Sequence, residues 1–254
     1  MKVSLSCFQC NTSKAKSFPE YPFELRDDNT YQIKCDHGHE SIILFESHKF
    51  ELLYEMGIYA MIDGYFREAV SNFAASIERF HEFSIEVFIQ SLFGENNKKF
   101  NSCIQDRTAQ YDIAWKNISN QSERQLGAYI MLYLSVFHSA PELIKKKHIE
   151  FRNKVIHKGY FPTEKETLNY AMDMFSYLQA KIIELKENIA DYVEYVYERK
   201  LREYITYEDV KGKYIVSWSE LMTFRSLRPI EEINNLDFNK VIKDRKEGYK
   251  PFKK

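Results

Sequence analysis

The chain has 254 residues, 44% of them hydrophobic and 29% charged, with a formal net charge of −1. That length can bury a proper core, that composition excludes a disordered chain, and that charge excludes an overall basic field, so a nucleic-acid partner would have to meet a local patch. Eight glycines and six prolines favour long helices over a turn-rich β architecture, and 19 Phe with 18 Tyr point to an interior packed with aromatic rings.

The first residues, MKVSLSCFQC, lack the apolar stretch of a secretory signal, and no apolar run approaches a membrane span. The expectation is a cytoplasmic protein with no membrane partner. Its cysteines then serve as metal ligands or free thiols rather than as disulfides. Residues 1–46 hold three of the four cysteines, with β-like alternation in YQIKC and SIILFE. The stretch SFPEYPFELRDDNT between the cysteine groups reads as loop. So short a segment cannot make an independent apolar core, and something else must hold it.

The cysteine spacing supplies that something. CFQC pairs Cys7 with Cys10, and CDHGH brings Cys35 together with His37 and His39. Three thiolates and one imidazole suit a tetrahedral zinc, and a complete protein ligand set makes the expected zinc structural. C-x3-H leaves the chain room to curl around the metal, which favours His39 as the fourth ligand, with His37 as the alternative. Cys103 stands apart and reads as a small core residue.

From about Ser47 the periodicity becomes helical, and 47–203 reads as one α-helical domain. SHKFELLYEMGIYAMIDG predicts a first helix closed by Asp63-Gly64. A longer one follows on the stripe Phe66, Ala69, Val70, Phe73, Ala74, Ile77, Phe80, Val87 and Phe88, ending at Gly94. Further helices are expected over 103–118 and 122–139, and another opened by Pro141. Thr163 and Glu166 have capping-box spacing. They open a long amphipathic helix to about residue 202 through Leu168, Met172, Phe175, Leu178, Ile182, Leu185 and Ile189. Residues 204–254 form a C-terminal extension in which YIVSW could be a strand, WSELMTF a helical turn and DRKEGYKPFKK a basic tail.

The Pro141 helix carries EFRNKVIHKG, with Arg152, Asn153 and His157 close together before Gly159. RNA can be cut without a metal when the 2′-hydroxyl attacks its own phosphate. That needs a base, an acid and a cation for the developing charge. Histidine titrates near neutrality and arginine offers a permanent planar fork to phosphate oxygens. Lys145, Lys146, Lys147, Lys154 and Lys158 supply a local positive field that the whole chain lacks. By spacing alone, a solvated helix end carries the same pattern. A zinc hydrolase is disfavoured because H-E-x-x-H does not occur.

FRNKVIHKG resembles the R-x4-6-H signature of the HEPN superfamily, in which a polar residue commonly follows the arginine. GYFREAVSNFAASIERFHEF resembles an early helix of that family, and the resemblance spans roughly 47–200. It implies a HEPN-like bundle behind a zinc ribbon. The implied activity is that of a metal-independent endoribonuclease leaving 2′,3′-cyclic phosphate ends, with no catalytic metal, working as a homodimer in an antiphage or toxin-like role. His157 would be the general acid–base, Arg152 the phosphate clamp and Asn153 the positioning group. Lys147, Lys154 and Lys158 would bind substrate, and Glu78 would support Arg152. The alternative is a non-catalytic RNA- or protein-binding dimerisation module. The C-terminal extension leaves room for a regulatory protein partner.

Overall fold

The computed structural model describes residues 2–7, 9–10, 20–27, 30–45, 47–95, 104–203, 214–218, 223–225 and 227–248. Eight helices make up 70% of the described residues. In chain order the elements are β1 (Lys2–Ser6), β2 (Glu20–Glu24), β3 (Thr30–Lys34) and β4 (Glu40–Phe45), then α1 (Lys49–Ile62), α2 (Phe66–Glu95), α3 (Ile104–Lys116) and α4 (Ser122–Phe137). They continue with α5 (Lys146–His157), α6 (Glu164–Glu203), β5 (Tyr214–Trp218), α7 (Ile230–Asn234) and α8 (Phe238–Gly248). Among the described residues no helix is long and apolar enough to cross a membrane. Cys103 and the final residues 249–254 lie outside the described residues, as does most of WSELMTF.

The chain divides into two compact units, Met1–His48 with Tyr197–Met222, and Lys49–Val196 with Thr223–Lys254. In the first, β1 and β2 form an antiparallel pair, and a second sheet has the order β3-β4-β5. β4 is its central strand, antiparallel to β3 and parallel to β5, with Ile42 opposite Ile215. Ile42, Ile43 and Leu44 are all buried, the continuous pattern of a strand covered on both faces. The loop expected over SFPEYPFELRDDNT instead contains β2, where Pro22 pairs with Ser4. Each strand of a two-stranded sheet keeps a free edge, and a proline is tolerated there because that edge needs no N–H donor.

The second unit is the helical bundle. Phe50, Tyr54, Ile58 and Met61 recur along one face of α1 and are buried with Val70, Phe73, Ile77, Phe80 and Phe88 of α2. Gly57 sets how closely α1 and α2 approach, since a Cβ there would lie 2.5 Å from the ring of Phe73. Phe175, Leu178, Ile182 and Leu185 of α6 fill the same core. Leu168 and Met172, the first positions of the α6 stripe, are instead exposed at 37% and 42%. α6 bends at Ile189, whose φ of −141° and ψ of 40° are not helical.

One expectation needs correction. α5 begins at Lys146 rather than at Pro141. Lys145 has extended backbone (φ −61°, ψ 142°), so no turn opened at Pro141 runs on into α5. The extension 204–254, left unplaced by the sequence, divides between the two units. β5 completes the sheet of the first unit, whereas Phe224, Ile233, Phe238 and Ile242 enter the bundle core. Glu55, 2% exposed, fixes that return. Its carboxylate accepts hydrogen bonds from Thr223 N at 3.0 Å and Thr223 Oγ1 at 2.8 Å, and it pairs with Arg245 Nε.

Removing one partner from a buried ion pair strands the other charge. Arg245→Met is therefore expected to lower stability by about 3 kcal/mol in denaturant titrations; an unchanged midpoint would mean that the pair contributes nothing to holding the returning segment. Gly57→Ala should cost about 1–3 kcal/mol through overpacking against Phe73, reversing the usual gain from alanine in a helix.

Candidate functional site

α5 packs on α2 through Val155, which is fully buried, and through a polar contact beside it. Arg152 Nη2 donates to Glu78 Oε1 at 2.6 Å, and Arg152 Nη1 donates to Asn153 Oδ1 at 3.0 Å. The guanidinium is thus held on two sides, one from its own helix and one from α2. The two side chains of the ion pair are 27% and 33% exposed, so solvent screens the pair and its main effect is orientation.

Arg152, Asn153 and Glu78 line a cleft of about 280 Å³ within the bundle. Its walls include Ile77, Leu126, Ile149 and Met174, and its polar lining also includes two histidines that the sequence reading passed over, His81 and His148. His148 precedes Arg152 by one helical turn and so shares its face. Its Nε2 lies 3.3 Å from Asp173 Oδ2 on α6. Burial lowers the His148 pKa, with Asp173 working in the opposite direction. The i, i+4 spacing to Arg152 was a signal present in IKKKHIE; Asp173 as partner was not.

His81 is more deeply set. It is 8% exposed and its Nε2 lies 2.8 Å from Tyr177 Oη. Burial, helped by Lys181, pushes its pKa down to about 4. The neighbouring polar groups are also satisfied: Lys181 Nζ is 2.8 Å from Glu184 Oε2, and Glu184 accepts from the hydroxyl of Tyr133.

His157 is not among the residues lining this cleft. It is the last residue of α5 and is exposed. On an ideal helix it lies roughly 140° around from Arg152. Lys147, Lys154 and Lys158 are exposed as well. Lys147 and Lys154 fall roughly 140–160° from Arg152 but only about 60–80° from His157, so the lysines flank the histidine rather than the arginine. Lys154 Nζ rests 3.4 Å from the centroid of the Tyr160 ring.

A second cluster lies in the first unit. Cys7, Cys10, Cys35 and His39 bring four donor atoms within 4.8 Å of one another, a set that can hold a metal ion. Cys10 Sγ is 3.7 Å from Cys35 Sγ and 3.4 Å from His39 Nδ1, and Cys7 Sγ is 3.8 Å from His39 Nδ1. A tetrahedral ion with bonds of about 2.3 Å to sulfur needs ligand atoms about 3.8 Å apart, so the spacing fits. His37 Nδ1 is also 3.4 Å from Cys10 Sγ, but the group of four contains His39. The second knuckle turns through Gly38 at φ +81°, with Gly38 N donating to Cys35 O at 2.8 Å.

Electrostatics agree with that geometry. Burial, with the thiols of Cys35 and Cys7 beside it, pushes the Cys10 thiol up to about 12. Burial also opposes ionisation of Cys35, yet hydrogen bonds from the backbone of His39 and His37, and from Cys10 and Cys7, hold its thiol below the ordinary value. Thiols this crowded share their charge readily only with a cation.

No family model, characterised protein or solved structure matches this chain.

The buried histidine makes a stability prediction. Its folded-state pKa is depressed, so the unfolded chain binds the proton more tightly. Stability should fall as pH drops from about 6.5 toward about 4, by up to about 3 kcal/mol. Denaturant melts across that window check it, and His81→Gln should flatten the slope.

Proposed function

We propose that this protein is a metal-independent endoribonuclease of HEPN type, acting as a homodimer, with the first unit held by a structural zinc. The observation that carries the reading is the setting of Arg152. Its guanidinium is oriented by Glu78 and Asn153, while His157 stands exposed on the same helix. Two of the guanidinium's five N–H donors are used in those bonds, leaving three for phosphate oxygens.

The chemistry follows from those groups. An imidazole takes the proton of the 2′-hydroxyl, O2′ bonds to phosphorus, and the bond from phosphorus to O5′ breaks. The leaving oxygen takes a proton from a second imidazole. The products are a 2′,3′-cyclic phosphate and a 5′-hydroxyl. One protomer offers one exposed motif histidine, so two facing copies of α5 supply the acid and the base together. Exposed Ile149 on α5, and Leu168 with Met172 one turn apart on α6, are the kind of apolar surface a second copy covers. Arg152 neutralises charge developing on the phosphate, and Lys147, Lys154 and Lys158 draw in the RNA backbone. An antiphage or growth-arrest role fits an enzyme of this kind.

Zinc suits the first unit because three thiolates and one imidazole at tetrahedral spacing are its preferred donors. Cys7, Cys10, Cys35 and His39 would hold it. The ion would tie the two knuckles to one point and add its binding free energy to that of the sheet's buried residues.

A second reading, a non-catalytic RNA- or protein-binding module, draws on the same ion pair, because Glu78 already neutralises Arg152 within one chain. Incubation of cellular RNA with magnesium chelated separates the two. Wild-type protein should leave cyclic phosphate ends, and Arg152→Ala and His157→Ala should each slow cutting by about 10²–10⁴-fold. Full activity in both variants, or no product from wild type, overturns the catalytic reading. Elemental analysis should find one zinc per chain, lost in Cys35→Ser; a chain purified without metal and equally stable overturns the zinc assignment.

A further inference from the structure

The turn between α5 and α6 presents an aromatic ring to solvent from an unusually well-fixed support. Phe161 is 82% exposed and makes no ring contact with any described residue. Exposing a phenylalanine forgoes the free energy of its burial, and a lone exposed ring on a mobile loop would need no explanation. This turn is braced on both sides. Gly159 takes a left-handed φ of +67°, which glycine adopts without strain. The N–H groups of Lys158 and Tyr160 both donate to Lys154 O at 3.2 Å.

Tyr160 is fixed by its ring and by its hydroxyl. Lys154 lies against the ring, and the hydroxyl donates to Glu166 Oε1 at 2.9 Å. Glu166 also accepts from Thr163 N at 2.9 Å and Thr163 Oγ1 at 2.8 Å, closing the capping box of α6. Those bonds, the Thr163 amide first, hold its carboxyl below the usual carboxylate range. Pro162, next to Phe161, is buried. The residues on both sides of Phe161 are therefore anchored, and the ring between them points outward.

The turn follows the helix end that carries the proposed reacting histidine. Phe161 comes four residues after His157, and exposed Lys154, Lys158 and Lys165, with exposed Glu164 among them, are its neighbours along the chain. A rigid ring among cations is how proteins grip single-stranded nucleic acid: the charges follow the backbone and the ring stacks on a base. Resting on the ribonuclease reading, we infer that Phe161 is a stacking platform for a nucleobase flanking the scissile phosphate, so that the substrate is single-stranded or unstacked RNA. The ring fixes the nucleotide that His157 addresses, and because every base has a π-face it does so without sequence preference.

The test uses the full chain carrying His157→Ala, so that RNA remains intact, with a labelled single-stranded oligoribonucleotide followed by anisotropy. Adding Phe161→Ala should weaken binding about ten-fold, while an abasic oligonucleotide of equal length binds both proteins alike. In Phe161→Trp the added indole emission should be quenched by RNA and affinity should be kept. Equal RNA affinity with and without Phe161, or the same loss on the abasic strand, overturns the platform. So does a Phe161→Ala protein whose only change is a shifted monomer–dimer equilibrium, which would assign the ring to a second copy. If wild type cuts RNA and Phe161→Ala cuts it equally well, this inference falls alone. If wild type neither binds nor cuts RNA, the reading beneath falls with it.

Discussion

The ion pair between Arg152 and Glu78 joins the two helices on which the site depends. α2 is the long element whose apolar stripe carries the core, and Glu78 interrupts that stripe at its edge. Its carboxylate, a third exposed, meets Arg152 arriving from α5. In return the guanidinium loses its freedom and faces one direction. An arginine so held has little rotamer entropy left to lose on meeting a phosphate. The same contact makes Asn153 a neighbour rather than a bystander, since its amide oxygen takes the second donor.

Around that pair the structure separates two polar regimes. Inside the bundle, His81, Tyr177, Lys181, Glu184 and Tyr133 form buried contacts whose partners are all protein groups. Such a network specifies one packing of the helices. At the end of α5 the reverse holds. His157, Lys158 and Phe161 are exposed, and the fixed groups are the backbone and side chains of the turn beneath them. Rigidity in the support and openness in the presented groups set this end of α5 apart from the bundle interior.

The first unit solves a different problem. Its sheets are short, and its buried cysteine cluster has Tyr21 as a partly buried apolar neighbour. The cysteine cluster rests on donor geometry, two turns from distant parts of the segment converging on one point, beside a sheet that buries Ile42, Ile43 and Leu44. The bundle rests instead on area and shape, with ring packed on ring from Phe50 and Phe80 through Tyr54 and Phe73.

Much of this was legible in the residues themselves. Apolar spacing of three and four gave α1, α2 and α6, because a helix face is a local property of the chain. The capping box at Thr163 and Glu166 was legible for the same reason, and the two knuckles because metal ligation constrains spacing. What escaped depended on distant partners. β2 hides behind its proline because only pairing with β1 makes it a strand, and YIVSW acquires its place only from β4. Leu168 and Met172 fit the α6 stripe by period, yet whether a face is covered depends on what packs against it. Local spacing was enough to say which residues share a helix or a turn and which cysteines could meet at one metal ion. The tertiary structure alone decided that Arg152 meets Glu78, that His148 meets Asp173, and that His157 remains in solvent, because those outcomes depend on how the helices pack across the fold.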